Sequence, residues 1–327
     1  MPEEKKVIPQ SRSAIDRRHW AARIGVPFNR LKAPAFKALY PFDSRLFKLA
    51  NNYSYHYLDE GEGEPVVMLH GNPTWSFFYR GLIGGLRSGY RCLAPDHLGS
   101  GLSEKPERYS YTLANHIANL ESWLEAILPP QSWAGGRINL VVHDWGGPIG
   151  FGYAIRNPGR ILRLIVMNTS IFTAGTMPWV IRLCRLPYLG AFVVRGLNLF
   201  VGEATVRTVV RHMPGKVRSG YLLPYNSWKN LVGVHSFIKD IPLDPDSPTR
   251  RLFNNIENTA QAKLAGKPML IQWGMRDWCF TPAFLKLWRR NFPGAKVDEH
   301  PAGHYLLEDV GPKILANIRE FLKRPTS

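Results

Sequence analysis

The sequence contains few cysteines: Cys92, Cys184 and Cys279 are the only three in 327 residues. They are odd in number, lie far apart and form no CxxC pair. A disulfide framework uses an even set of cysteines, and a zinc site needs clustered Cys and His ligands. The cysteines therefore exclude both and are typical of a reducing compartment. A chain of this length buries enough surface to fold without either.

Acidic residues are also scarce. Asp and Glu number 25 against 42 Lys and Arg, which gives a formal net charge of +17. Such a charge suits nucleic acid or an anionic membrane surface. The basic residues are scattered along the chain, however, and no RNA-recognition, helix-turn-helix or zinc-finger pattern accompanies them. We therefore expect no nucleic-acid partner.

Long uninterrupted apolar runs are missing as well. The first forty residues mix charges and prolines rather than forming a secretory signal, which predicts a cytoplasmic protein with a basic N-terminal arm, residues 1–44. The most apolar stretch, 177–202, is interrupted by Arg182, Pro187 and Arg195 within any window of about 20 residues. It favours the amphipathic helices of a lid, with contact to a membrane surface as the alternative.

What the sequence does contain is an alternation of strands and helices. The runs PVVMLHG, YRCLAPD, INLVVHD and ILRLIVMN are apolar throughout, and helical segments separate them. This pattern predicts a mostly parallel α/β sheet covered on both faces. Residues 171–260 hold no comparable strand, and the alternation resumes at PMLIQWG and AKVDEHP before a last helix from about Pro312. We predict a core of 45–170 and 261–327, with a helical cap, 171–260, inserted after the sixth strand.

The segment LVVHDWGGPIG places Asp144 where a buried strand stops and a glycine turn begins. A nucleophile elbow projects one side chain from such a turn and requires a small residue two positions later, which Gly146 provides. The usual glycine two positions earlier is replaced by Val142, and no GxSxG occurs in the chain. Asp144 is therefore either a carboxylate nucleophile or the N-cap of the following helix.

Three further positions favour the nucleophile. Asn72 follows the strand PVVMLH, so its backbone N–H and that of Trp145 meet at one sheet edge and suit an oxyanion hole. Asp277 follows the strand PMLIQWG, and His304 follows the strand AKVDEHP. Hydrolases of this type carry the nucleophile first in the chain, then the acid and then the histidine. Asn168 occupies the other position that could carry the acid, which leaves Asp277 as the partner that orients the histidine.

Each position also has an ordinary explanation. Asp277 alone could pair with Arg276 in a loop, and His304 alone could be a turn residue. We assign His70 to packing and hydrogen bonding beneath the oxyanion loop, and Asp96 to fixing its own loop. The joint placement of these residues, rather than any one of them, predicts an active site.

The segments HGNPTWSFFYR, PDHLGSGLS, VVHDWGG, WGMRDWCF and GHYLLED together resemble the haloalkane dehalogenases of the α/β-hydrolase superfamily, over roughly residues 45 to 323. The resemblance implies that Asp144 is the nucleophile, His304 the base that activates water and Asp277 its acid partner. It also implies that Asn72 and the indole N–H of Trp145 bind the departing halide. The β-lactone decarboxylases of long-chain olefin synthesis share these motifs, and PYNSW and IKDIPL resemble that branch.

The sequence thus predicts a cofactor-free, metal-free enzyme that acts on a small apolar substrate, either a halogenated alkane or a long-chain β-lactone. The haloalkane reaction is favoured, through an alkyl ester on Asp144 that water hydrolyses to an alcohol. Epoxide hydrolysis is a further alternative because Tyr188, Tyr221 and Tyr225 lie in the predicted lid. A catalytically idle, membrane-associated assembly partner is the remaining one. A membrane-surface contact through the basic arm or cap, and a homo-oligomer, are compatible with each reading.

Overall fold

The structure is a computed structural model and describes residues 21–22, 24–26, 28–173 and 178–324. Its centre is an eight-stranded sheet with the strand order β1-β2-β4-β3-β5-β6-β7-β8. The strands are β1 Arg45–Lys48, β2 Ser54–Glu60, β3 Glu64–Leu69, β4 Tyr90–Pro95, β5 Ile138–His143, β6 Ile161–Met167, β7 Met269–Gly274 and β8 Lys296–His300.

The sheet is mostly parallel, as predicted. β1 and β2 pair antiparallel to their neighbours, whereas β3 to β8 run parallel to one another. Alternate residues of the central strands belong to different hydrophobic clusters: Val141 packs in one, and Leu140 and Val142 pack in the other. Both faces of the sheet are therefore covered, which explains why these strands are apolar throughout.

Helices cover the two faces. Among the described residues the α-helices are α1 Phe28–Lys32, α2 Pro34–Leu39, α3 Arg80–Leu86, α4 Leu113–Ile127, α5 Gly146–Arg156, α6 Trp179–Arg185, α7 Leu189–Ala191, α8 Leu199–Arg207, α9 Gly215–Leu222, α10 Val232–Lys239, α11 Pro248–Leu264, α12 Pro282–Asn291 and α13 Leu306–Leu322. Short 3₁₀ turns occur at Ser76–Tyr79, Trp133–Gly136, Pro158–Arg160 and Lys229–Leu231, and a π-helical turn at Phe192–Gly196.

Among the described residues, the chain between β6 and β7 contains no strand. It contains α6 to α11, which turns and irregular segments connect. The last of these, α11, packs against α5 and α4, and the predicted domain boundary at 260/261 falls inside it. No single helix in the described ranges is long and apolar enough to cross a membrane. Only Leu189–Gly196 together with Leu199–Arg207 would meet that test, as two segments bent by 67°.

The last helix begins earlier than the sequence indicates. We predicted a start near Pro312. The helix instead begins at Leu306 and continues past Pro312 across a kink at Val310, where φ is −139° and ψ is 26°. A proline lacks the N–H that an interior helical position donates, so the kink separates the first turn from the remainder. That first turn supplies two carboxylates used below, Glu308 and Asp309.

The described half of the predicted N-terminal arm packs on the core, while residues 1–20, 23 and 27 lie outside the described residues. Tyr40 is buried, and its hydroxyl lies 2.6 Å from the hydroxyl of Ser76. Phe36 stacks on Trp75 and Phe77 with ring centroids 6.3 and 6.1 Å apart. This segment therefore covers the loop that follows β3.

Candidate active site

Asp144 lies at the tip of a sharp turn between β5 and α5. Its φ is +50°, in the left-handed region that non-glycine residues seldom adopt. A Cβ on Gly146 would approach the carbonyl oxygen of Leu69 to 2.0 Å, so only glycine fits two positions after Asp144. The turn stores strain of about 1–3 kcal/mol, which is characteristic of functional positions. The strand–turn–helix geometry expected of a nucleophile elbow is present.

Val142 occupies the position where such an elbow usually has a glycine. The space is provided on the helix side instead: a Cβ on Gly150 would approach Cγ1 of Val142 to 2.7 Å. A glycine one helical turn into α5 therefore lets the helix approach the strand despite the larger valine. The sequence contains Gly150, but its role depends on the packing of α5 against β5.

The carboxylate of Asp144 is held by backbone N–H groups from two loops. The N–H of Asn72 donates to Oδ1 at 2.6 Å, and the N–H of Trp145 also donates to this carboxylate. Gly71 allows this close approach, because a Cβ there would lie 2.1 Å from Oδ1. The N–H groups of both expected oxyanion donors thus bond to the carboxylate of Asp144. Each such donor typically stabilises a transition state by about 3 kcal/mol.

His304 and Asp277 come together at the same sheet edge. Nδ1 of His304 lies 2.8 Å from Oδ2 of Asp277, and Nε2 lies 3.7 Å from Oδ2 of Asp144. All three side chains are buried, with exposed fractions of 8% for Asp144, 3% for Asp277 and 4% for His304. The structure therefore places these three predicted residues in one cluster, with the imidazole between two carboxylates.

Asn168 supports the acid rather than replacing it. Its Nδ2 donates to Oδ2 of Asp277 at 2.9 Å, and its Oδ1 accepts from the N–H of Gly274 at 2.7 Å. The N–H of Cys279 donates to the other oxygen of Asp277 at 2.7 Å. These donors fix the carboxylate so that one oxygen faces His304.

The electrostatics of the cluster are strongly coupled. Burial raises the pKa of Asp144, and this effect outweighs the lowering by His304 and by the N–H groups of Asn72 and Trp145. Burial by itself would lower the pKa of His304. The charge of Asp277, its hydrogen bond and the charge of Asp144 outweigh burial, so the pKa of His304 is raised. An imidazole in this position can accept a proton and hold it next to Asp144.

The backbone around His304 is anchored by residues that the sequence did not single out. His143 donates from Nε2 to the carbonyl oxygen of His304 at 3.0 Å. Asp309 accepts from the N–H of Gly303 at 2.8 Å, and the N–H of Tyr305 donates to the carbonyl oxygen of Thr208 at 2.9 Å. The only sequence signal for Asp309 is an acidic residue in the first turn of a helix.

Asp309 also binds the chain between β6 and β7. Its carboxylate accepts from the N–H groups of Val210 and Arg211, each at 3.0 Å. A single buried carboxylate thus joins the loop of His304 to the segment that follows α8.

His70 and Asp96 have the supporting positions that we assigned to them. Nδ1 of His70 donates to the carbonyl oxygen of Gly71 at 2.7 Å, and Nε2 accepts from the N–H of His97 at 2.9 Å. Asp96 accepts from the N–H groups of Ser76 and Leu102, each at 2.7 Å. Both residues therefore bond to the loops that follow β3 and β4, the first of which carries Asn72.

The hydroxyls of the two buried lid tyrosines bond to groups other than Asp144. The hydroxyl of Tyr221 donates to Oε1 of Glu308 at 2.5 Å, and that of Tyr225 donates to the carbonyl oxygen of Thr74 at 3.3 Å. Tyr188 is 92% exposed. An epoxide hydrolase needs acidic hydroxyls that donate beside the nucleophile to protonate an alkoxide, whereas the hydroxyls of Tyr221 and Tyr225 donate to Glu308 and Thr74.

The two side chains that we expect to bind a halide flank Asp144 closely. Trp145 is 8% exposed and packs against Phe237 at a ring-centroid distance of 5.3 Å. Nδ2 of Asn72 donates one of its two hydrogens to the carbonyl oxygen of Val234 at 3.2 Å. This contact fixes the orientation of the amide.

Fold and site define an α/β-hydrolase with an acidic residue at the elbow. The profile of the alpha/beta hydrolase fold family matches residues 64–309, and the chain belongs to this family. It is 42% identical over 291 residues to a cis-3-alkyl-4-alkyloxetan-2-one decarboxylase from Shewanella oneidensis, covering 87% of this chain and 89% of the relative. It is 32% identical over 286 residues to haloalkane dehalogenase 2 from Mycobacterium tuberculosis, covering 86% and 96%.

Solved structures agree on the fold. The haloalkane dehalogenase DatA from Agrobacterium tumefaciens superimposes with a TM-score of 0.75 over 86% of this chain and 97% of its own, at 22% identity. Close relatives are thus β-lactone decarboxylases and more distant ones haloalkane dehalogenases, and both activities are consistent with the family.

Proposed function

We propose that this protein is a decarboxylase of cis-3-alkyl-4-alkyloxetan-2-ones that uses Asp144 as its nucleophile. The observation that carries the proposal is the Asp144 carboxylate at the elbow, which accepts from the N–H groups of Asn72 and Trp145 and has its Oδ2 3.7 Å from Nε2 of His304. The 42% identity to a decarboxylase, against 32% to a dehalogenase, favours the lactone over the haloalkane that the sequence motifs favoured.

The proposed reaction has two steps and consumes no water. Oδ2 of Asp144 attacks ring carbon 4, the bond from that carbon to the ring oxygen breaks, and the lactone carbonyl becomes a free carboxylate. The electron pair of the bond between that carboxylate and carbon 3 then forms the alkene, as carbon dioxide leaves and the ester bond to Oδ2 breaks. Inversion followed by anti elimination converts a cis lactone into a cis alkene.

The surrounding residues suit each step. The N–H groups of Asn72 and Trp145 stabilise the charge that returns to Asp144 when the alkene forms. The imidazolium of His304, whose pKa Asp277 raises, lies beside the substrate carboxylate that the first step releases. The burial of these residues strengthens both interactions.

Haloalkane hydrolysis is the second candidate, and the position of His304 favours it. Nε2, 3.7 Å from Oδ2 of Asp144, lies where a base can deprotonate a water that attacks the ester carbon. The indole N–H of Trp145 and the amide of Asn72 would then bind the released halide.

Oxygen-18 water separates the two reactions. Ester hydrolysis attacks the acyl carbon of Asp144 and therefore labels its carboxylate, whereas the elimination leaves it unlabelled. We expect the wild-type protein to convert a cis-dialkyl β-lactone to alkene and carbon dioxide without label in the peptide that contains Asp144. Label after turnover with the lactone would contradict the elimination, and absence of alkene would contradict the decarboxylase.

Haloalkanes test the nucleophile itself. A His304→Gln variant incubated with 1,2-dibromoethane or 1-bromobutane should retain an added alkyl mass on the peptide that contains Asp144, because ester hydrolysis lacks its base. Asp144→Asn is the matched control and should gain no mass. If the wild type released no bromide and the His304→Gln variant stayed unmodified, dehalogenation would be excluded. The lactone reaction would then be tested by its products, alkene and carbon dioxide, alone.

A further inference from the structure

Large apolar side chains are exposed on one region of this molecule. Of the twelve that are exposed among the described residues, ten lie between Trp179 and Trp228. Trp179 is 75% exposed, Tyr188 92% and Phe192 54%. We call the exposed side chains from Trp179 to Arg211, together with Trp228, the outer face. Clustered exposed apolar groups of this size mark interaction surfaces.

The elements of the outer face are neighbours in space as well as in sequence. α6 packs against α7, α7 continues into the π-helical turn Phe192–Gly196, and that turn contacts α8. Arg195 belongs to this π-helical turn, and its guanidinium carbon lies 4.5 Å from the ring centroid of Trp228. In α6, Trp179 and Arg182 are three residues apart and both exposed, so they share one side of the helix.

Positive charge surrounds these apolar groups. Residues 179–229 contain eight Lys or Arg and a single acidic residue, Glu203. Arg182, Arg211 and Lys216 are exposed. This segment therefore contributes a large share of the net charge of +17. Aromatic and aliphatic groups interspersed with basic residues are the composition of helices that lie in a membrane interface.

Tyr188 adds a conformational observation. Its φ is +57° and its ψ is −57°, an unfavourable conformation for a bulky residue. The side chain is 92% exposed, so packing inside the molecule does not explain why this strain is maintained. Strained residues tend to occur where a surface contacts a ligand.

We propose that the outer face docks on an anionic lipid bilayer, with α6 to α8 lying in the headgroup region. The 67° bend between Leu189–Gly196 and Leu199–Arg207 suits helices that lie on a surface rather than cross it. Anionic headgroups complement the basic residues, whereas a second copy of this chain would bring like charge against like charge. The inference is independent of the reaction at Asp144.

Vesicle flotation with the full-length protein tests the docking. We expect binding to vesicles of phosphatidylcholine and phosphatidylglycerol in equal amounts, weak binding to phosphatidylcholine alone, and loss of binding at about 1 M salt. Arg182→Gln with Arg211→Gln should weaken binding about 25-fold, since each basic residue contributes about fivefold. Leu189→Gln with Phe192→Gln should weaken it at least about tenfold.

Matched controls lie elsewhere on the surface. Leu243 is 43% exposed outside the outer face, and Arg290 is exposed on α12. Leu243→Gln and Arg290→Gln should bind vesicles like the wild type. Unchanged thermal unfolding midpoints in all variants establish that each one is folded.

Three outcomes would overturn the proposal. Equal binding to both vesicle types would remove the role of charge. If both outer-face variants bound vesicles as tightly as the wild type, another part of the chain, such as residues 1–44, would be responsible for the binding. The third outcome combines two results. If light scattering showed a wild-type dimer that became a monomer in the Leu189→Gln, Phe192→Gln variant, and if neither protein bound vesicles, the outer face would be a contact between copies of this chain.

Discussion

His304 lies between two carboxylates: its Nδ1 is 2.8 Å from Asp277, and its Nε2 is 3.7 Å from Asp144. The shorter contact is a hydrogen bond that fixes the ring, and the longer one exceeds hydrogen-bond length. The imidazole is therefore oriented by one acid and presented to the other. This asymmetry assigns different tasks to the two carboxylates, and several predictions depend on it.

Asp277→Asn tests the orienting acid. Loss of the negative charge should lower the pKa of His304, because Asp277 is the main group that raises it. We expect kcat to fall about 10³-fold. Any limb of the pH–rate profile that reports His304 should move to lower pH. Asp246→Asn, at an exposed position, is the control and should leave both unchanged. An unshifted profile would contradict the assigned role.

Gly71→Ala tests the oxyanion loop. The added Cβ would lie 2.1 Å from Oδ1 of Asp144, so the loop or the carboxylate must move. We expect kcat/KM to fall at least about 10²-fold, the typical effect of losing one oxyanion donor. A Cβ on Gly84, inside α3, meets nothing within 4 Å. Gly84→Ala should therefore keep its activity and gain up to about 1 kcal/mol in stability. Equal activity of the two variants would exclude the proposed loop geometry.

Trp145→Phe separates the two candidate reactions. The substitution removes the indole N–H but keeps an aromatic ring against Phe237. Bromide release from 1-bromobutane should fall about 10²-fold, because the halide loses a donor. The rate of alkene formation from a β-lactone should change less than about fivefold. The carboxylate that Asp144 displaces from carbon 4 remains part of the substrate and is not released as a separate anion at that step. Both rates are measured on the same preparation, and parallel losses would argue that the indole serves only to pack the site.

Asp309→Ala tests a positioning residue. Asp309 binds the N–H groups of Gly303, Val210 and Arg211, so its loss should release the loop of His304. We expect kcat to fall about tenfold to 100-fold with little change in KM, since substrate contacts remain. Asp309→Asn keeps one acceptor oxygen and should recover part of kcat.

The neighbouring Glu308 provides the comparison for Asp309. Its carboxylate binds Arg80 through both oxygens, at 2.6 and 2.7 Å, and accepts from the hydroxyl of Tyr221, whereas the carboxylate of Asp309 accepts from the N–H of Gly303. Glu308→Gln should lower the unfolding midpoint yet keep kcat within about threefold. If Asp309 were merely structural, both variants would lower the midpoint and neither would lower kcat.

Asp144→Asn should stabilise the protein while abolishing activity. The folded state raises the pKa of Asp144, so it binds the proton more tightly than the unfolded chain does. The free energy of unfolding therefore falls as the pH rises from the ordinary pKa of Asp144 to its raised value. At neutral pH the ionised carboxylate destabilises the folded state. Asparagine also tolerates the φ of +50°.

We expect Asp144→Asn to raise the free energy of unfolding by about 1 kcal/mol at pH 7. A stabilisation of this size is common when a strained functional residue is replaced. Urea unfolding at pH 7 and below the ordinary pKa of Asp144 checks this, because the difference between the variants should disappear at the lower pH. A destabilised variant at pH 7 would show that ionised Asp144 is favourable in the fold.

The sequence by itself determined the α/β architecture and the positions of Asp144, Asp277 and His304. These features are readable because they are local: continuous apolar strands mark a covered parallel sheet, and polar residues at strand ends meet at one edge. The candidate elbow could be recognised from an apolar strand that ends at Asp144 and is followed by Gly146, because these residues are neighbours in the sequence.

Only the tertiary structure decided how those residues are held. Gly150 makes room for Val142, Asn168 and the N–H of Cys279 fix Asp277, and Asp309 joins the loop of His304 to the chain after α8. Two of these links, from Asn168 to Asp277 and from Asp309 to Val210, join residues about a hundred positions apart, and no local pattern encodes them. Side-chain identity and strand order place the reactive groups at an edge. The packing of loops that are distant in the sequence sets the distances and pKa values on which their chemistry depends.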